Sequence, residues 1–96
     1  MVWKIKSKTG EQIRWKKSKS VGYNKELVAE VTVTRIVGKE YGVIGVAGIY
    51  KRIGIRNDVL ALVKKLKNVT SIRKSKSEAL KVATRFRKAI DQIIKR

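Results

Sequence analysis

The stretch Val2-Trp3-Lys4-Ile5-Lys6-Ser7-Lys8-Thr9-Gly10-Glu11-Gln12-Ile13-Arg14-Trp15-Lys16-Lys17-Ser18-Lys19 decides how the chain is read. Apolar residues alternate with cations on both sides of a single turn, and such alternation marks half-buried β-strands. A three-residue loop, Lys8-Thr9-Gly10, closes the pair if Gly10 takes the left-handed position of a type I turn plus bulge. That register sets Trp3 opposite Trp15 and Ile5 opposite Ile13 on one face, with Lys4 opposite Arg14 on the other. Like charges directly across a strand pair repel each other. An isolated fold gains nothing from this arrangement, whereas a polyanion lying on the face relieves it. The hairpin is therefore expected to bind nucleic acid.

Composition supports the same expectation. The chain has 96 residues, enough for one domain over residues 1–96 with a modest core. At 43% hydrophobic it has the apolar content to fold despite 33% charged residues. Its 25 Lys and Arg stand against 7 Asp and Glu, a net charge of +18. Self-repulsion of that size opposes compaction, and a phosphate-bearing partner is the commonest reason to carry it. Solubility alone is served as well by acidic residues. The charge is uneven: the middle, residues 26–50, is nearly neutral, while the segments on either side are strongly cationic.

With no Cys and no His, the chain has no disulfide framework, no usual zinc ligand set, no thiol nucleophile and no histidine base. No apolar run approaches the roughly 20 residues of a membrane helix, and no apolar segment follows the first lysines as in a signal peptide. A soluble, intracellular protein with no membrane partner is expected. Abundant Lys, Ile and Val with no Cys lean thermophilic, towards an archaeal or viral source.

Further along, Lys16 to Lys25 reads as a cationic loop, punctuated by Ser, Gly22 and Asn24, with Tyr23 available to stack on a base. Leu27 to Val37 is a strand with Leu27, Ala29, Val31, Val33 and Val37 on one face. Gly38-Lys39-Glu40 turns it back into Tyr41 to Val46, through a two- or three-residue loop. Gly42, Gly45 and Gly48 recur every third residue, which signals curvature, bulges or the close approach of another backbone. The piece Gly45-Val46-Ala47-Gly48 also resembles the GxxG loop with which KH domains grip RNA backbone, which would make it a phosphate cradle.

Ile49 to Val63 resembles a helix-turn-helix, with Gly54 at the turn and a recognition helix beginning near Asn57. The alternative is a strand end, Tyr50 to Ile55, followed by a packing helix. Either way Asp58 to Lys67 is expected to be helical, since Val59, Leu62, Val63 and Leu66 follow the i, i+3, i+4, i+7 spacing. Val69 to Arg73 reads as a short edge strand. Ser75-Lys76-Ser77-Glu78 is a capping box. It opens a last helix whose stripe of Ala79, Leu80, Ala83, Phe86, Ile90, Ile93 and Ile94 wants a sheet to cover. The stripe is also long enough for a homodimer contact at its C-terminus.

The expected fold is α+β. A curved antiparallel sheet of about four strands, from hairpins 2–17 and 27–47, packs against a C-terminal amphipathic helix, with a shorter helix before it. The expected function is non-enzymatic nucleic-acid binding, DNA before RNA, without metal or cofactor. The acids form no recognisable cluster for Mg2+ and are expected to pair with neighbouring cations. Phosphate contacts are assigned to Lys4, Lys6, Lys8, Arg14, Lys16, Lys17, Lys19, Lys51, Arg52 and Arg56, with Tyr23 beside them. Trp3, Trp15 and Tyr50 are candidate stacking residues, although a shared face with Ile5 and Ile13 turns both tryptophans inward. Other readings are an RNA-binding ribosomal or ribonucleoprotein component, a helix-turn-helix regulator over residues 49–67, and a virion structural protein. The corresponding locations are the nucleoid or ribosome in the cytoplasm, or the virion.

Overall fold

A computed structural model describes residues 3–54 and 59–94. Five strands run in chain order: β1 Lys4–Lys8, β2 Gln12–Gly22, β3 Lys25–Arg35, β4 Tyr41–Ile53 and β5 Val59–Arg73. They form one antiparallel sheet in the order β1-β2-β3-β4-β5, and the single helix among the described residues, α1 (Lys76–Ile94), packs on one face. The α+β class and the C-terminal helix agree with the sequence reading. The sheet has five strands rather than four, and the shorter preceding helix is replaced by β5.

The buried face follows directly from alternation. Ile13 and Trp15 of β2, Ala29, Val31 and Val33 of β3, and Val43 and Ala47 of β4 point to the helix side. Ala79, Val82, Ala83 and Ile90 of α1 close the core against them. Gly45 lies where the helix comes nearest. A Cβ there would stand 3.2 Å from Phe86 Cδ2 and 3.0 Å from Val69 Cγ2, so the missing side chain is the slot that Phe86 fills. The helix opens at its expected cap: the Glu78 backbone N–H donates to the Ser75 hydroxyl at 3.2 Å. Among the described residues no helix is long and apolar enough to cross a membrane.

Several local expectations are corrected. In the first hairpin Lys4 pairs with Lys16 and Ile5 with Trp15, and a bulge then brings Ser7 to Arg14 and Lys8 to Ile13. The pairing is thus displaced from the expected Trp3–Trp15 register. The turn is Thr9-Gly10-Glu11, held by the Thr9 hydroxyl accepting from the N–H groups of Glu11 and Gln12 at 3.2 and 3.0 Å. That side chain supplies the closure expected of a left-handed Gly10. Residues 16–25 are not a loop. β2 continues to Gly22, and only Tyr23 and Asn24 turn, with Asn24 in the left-handed region at φ 55°. β3 recruits the Lys- and Ser-rich segment because Leu27 and Ala29 bury their side of every pair. The β3–β4 connection is longer than expected. Arg35 pairs with Tyr41, and the Glu40 N–H closes an inner turn onto the Val37 carbonyl at 2.9 Å.

The largest correction concerns residues 59–67, which are strand. The apolar spacing there also fits an alternating strand whose phase is reset twice. β4 and β5 pair throughout, with irregularities at Ala47/Gly48 and Ile49/Tyr50. Leu62 then lies opposite Tyr50, and Lys64 opposite Ile49. The helix-turn-helix reading fails with that helix; residues 55–58, which follow its Gly54 turn and include the expected helix start at Asn57, lie outside the described residues. The GxxG reading also fails, because Gly45 to Gly48 lie within β4, paired to β3 on one side and β5 on the other, rather than in a loop. Gly48 serves close approach instead: a Cβ there would be 3.1 Å from the Lys64 backbone oxygen and 2.9 Å from Leu62 Cδ1.

Candidate nucleic-acid interface

The hydrogen-bonded pairs sort every sheet cation onto one of two faces, since directly paired residues project to the same side. The open face, away from α1, carries Lys4 and Lys16 as a directly opposed pair, and Lys65 opposite Gly48. It also carries Arg14 and Arg52, but both are neutralised. Arg14 Nε lies 3.1 Å from Glu30 Oε1, an ion pair without the in-line geometry of a hydrogen bond. Arg52 donates to Glu26 Oε2 at 2.8 Å. Lys6 sits at the β1 bulge, and Lys8, paired with Ile13 at the strand end, projects to the helix side; both are exposed.

The helix-side face is different. The core ends at Ala29 and Ala47, and beyond them the sheet runs on as a two-hairpin extension of a molecule 44 Å long. Across it Lys19 pairs with Leu27, Leu27 with Ile49, and Ile49 with Lys64. In the next row outward Lys25 lies directly opposite Lys51. Lys19, Lys25, Lys51 and Lys64 are all exposed. Among the described residues no carboxylate pairs with any of them. Lys67, opposite Ala47, continues the field inward. The sheet glutamates, Glu26 and Glu30, have the opposite parity and so lie behind it.

Of the residues singled out from sequence, Lys19 and Lys51 belong to this field. Lys17 does not, because its ammonium is buried, pairs with Asp91 and lies 4.9 Å from the Trp3 ring centroid. Trp15 is covered, only 9% exposed, with the Arg87 guanidinium 4.4 Å from its ring centroid. That burial pulls Arg87 below the usual arginine pKa, and Asp91 pushes it the other way. Trp3 is half-buried and its indole N–H donates to Asp91 at 3.1 Å. The two tryptophans thus anchor β1 and β2 to α1. Tyr50 is half-buried on the open face, beside Leu62 and opposite Glu26. Tyr23 stands at the β2–β3 tip, 90% exposed. Arg56 lies outside the described residues.

Lys25, Lys64 and Lys67 were not singled out by sequence reasoning. Lys25 closed the cationic stretch read as a loop; the signal for Lys64 and Lys67 was the cationic excess of residues 51–76, which a helical reading of 58–67 assigned to a helix end. Placed on a strand, those lysines join β2 and β3 lysines from the far side of the sheet. Set against protein-family models, curated proteins and solved structures, the chain matches none.

Proposed function

We propose that the chain is a non-enzymatic nucleic-acid-binding protein that holds duplex DNA by its phosphates, with the lysine field of the sheet extension as the principal contact. The observation that carries this reading is the set Lys19, Lys25, Lys51 and Lys64 on one face without a paired carboxylate among the described residues. Lys25 opposite Lys51 costs the isolated fold energy that a phosphate bound between them returns. The field spans β2 to β5, three strand spacings or about 14 Å. B-form DNA sets its phosphate rows about 12 Å apart across the major groove, so one face reaches both rows. Among the described residues the row between these lysines on their own face is Leu27 and Ile49, with Tyr23 only at the hairpin tip and Tyr50 on the opposite face, which favours backbone contact over base stacking.

Salt-dependent anisotropy titrations with duplex DNA, structured RNA and single-stranded DNA test the proposal. Duplex DNA is expected to bind with a steep salt slope and little sequence preference. Replacing all four lysines with glutamine should flatten that slope by about 0.9 per lost contact. Absence of binding to all three ligands at low salt would sink the reading. Tighter binding to structured RNA would move it to a ribonucleoprotein role.

A further inference from the structure

We propose that the open face of the sheet is the contact surface of a homodimer, centred on β4. The first observation is the composition of that strand. From Tyr41 to Tyr50 it reads Tyr-Gly-Val-Ile-Gly-Val-Ala-Gly-Ile-Tyr, with no charged residue. A half-covered antiparallel strand normally alternates apolar with polar, and a near-continuous apolar strand is one covered on both faces. α1 covers one side only. On the other, Ile44 is 48%, Leu62 55% and Ile72 61% exposed, with Val28 and Val46 half-buried among them. An apolar patch of this kind on a soluble domain marks an interaction surface.

The second observation identifies the occupant. A chain of net charge +18 repels its own copies over most of its surface. On this face the two arginines that flank the patch are cancelled, Arg14 by Glu30 and Arg52 by Glu26. Among the described residues that leaves Lys4, Lys16 and Lys65 as the open-face lysines without a paired carboxylate, against the five lysines of the opposite field, so another copy meets less repulsion here, and the acids spent on this face are the two in the sheet. A two-fold axis through β4 lays Ile44 and Val46 on their own counterparts, as an isologous interface requires. Lys65, opposite Gly48 on the outer strand β5, then lies one strand spacing or about 5 Å from the axis, and Lys4 and Lys16 fall at the rim on the other side. Lys16 is two strands or about 10 Å from the axis, and Lys4 is further out. A rim charge there is solvated, and its repulsion is weak.

Sedimentation velocity in high salt, across a concentration range, tests this directly. The wild-type chain should sediment as a dimer, and Ile44→Lys with Ile72→Lys should weaken association by more than about tenfold. Thr70→Arg, at an exposed position directly opposite Ile44, is a second disruptor on the same face. Because the chain has no cysteine, Ile44→Cys should oxidise to a covalent dimer, whereas Tyr23→Cys at the hairpin tip should not. A wild-type chain that stays monomeric throughout overturns the proposal. So does a dimer unaffected by both disruptors, or single-strand DNA binding that depends on Ile44 while the mass remains that of one chain.

Discussion

The Lys17 ammonium sits beneath the Trp3 ring and pairs with Asp91, which also accepts the Trp3 indole N–H. These three side chains tie the first strand to the last helix across the whole sequence. Removing one partner of a buried pair strands the other charge without compensation. Asp91→Ala should therefore destabilise the fold by about 2–4 kcal/mol, below the full buried-pair cost because the Asp91 side chain keeps 31% exposure. The double change Lys17→Met with Asp91→Leu should recover most of that loss, and chemical denaturation of the three proteins measures it. Gly48 makes a separate case. Alanine there must displace a backbone oxygen as well as Leu62, so Gly48→Ala should cost about 1–3 kcal/mol. Gly10, with nothing within 4 Å of an added Cβ, should accept alanine within about 0.5 kcal/mol.

At the level of elements, α1 and β3 were legible because each carries a single unbroken period. α1 has its Ser75 cap and an apolar stripe; β3 alternates from Leu27 to Val33 without interruption. β5 was not legible, because its two phase resets turn an alternating strand into something that also matches helical spacing at Val59, Leu62, Val63 and Leu66. A bulge depends on the partner strand, here the glycine-rich β4, and no local window contains both. The lysine field shared that fate, since its members come from all four strands of the extension and meet only through long-range pairing. The pairing of Lys4 with a like charge was expected from sequence, although the partner is Lys16 rather than Arg14. Far-UV circular dichroism checks the element assignment. Helix should account for the 19 residues of α1 in a chain of 96. Ser75→Ala should lower stability by about 1 kcal/mol without changing that content much.

For the whole molecule, charge sets the conditions of stability. A compact chain at +18 is under self-repulsion, so its thermal midpoint should rise as salt is added at fixed pH. Duplex DNA should raise it further at low salt, by linkage to the folded state, and the increment should vanish at high salt. Differential scanning fluorimetry across a salt series, with and without DNA, distinguishes these two contributions. The lysine field and the apolar face lie on opposite sides of the same sheet. A dimer closed through β4 therefore turns both lysine fields outward, and light scattering should show two duplexes held together by one dimer. The Ile44→Lys, Ile72→Lys protein should bind DNA without bringing duplexes together.

The resets in β5 have one more consequence. β5 is an outer strand of 15 residues, and a long straight edge invites another chain to add a strand and then another. Its two irregularities lie in the outer half, between Val59 and Lys67, where Lys64, Lys65 and Lys67 also cluster. Bent backbone and repelling ammonium groups together deny that half of the edge a straight template. Growth by edge addition would be an open, head-to-tail process with no natural stop. The same distortion that hid the strand from sequence reading thus guards the chain against fibre formation.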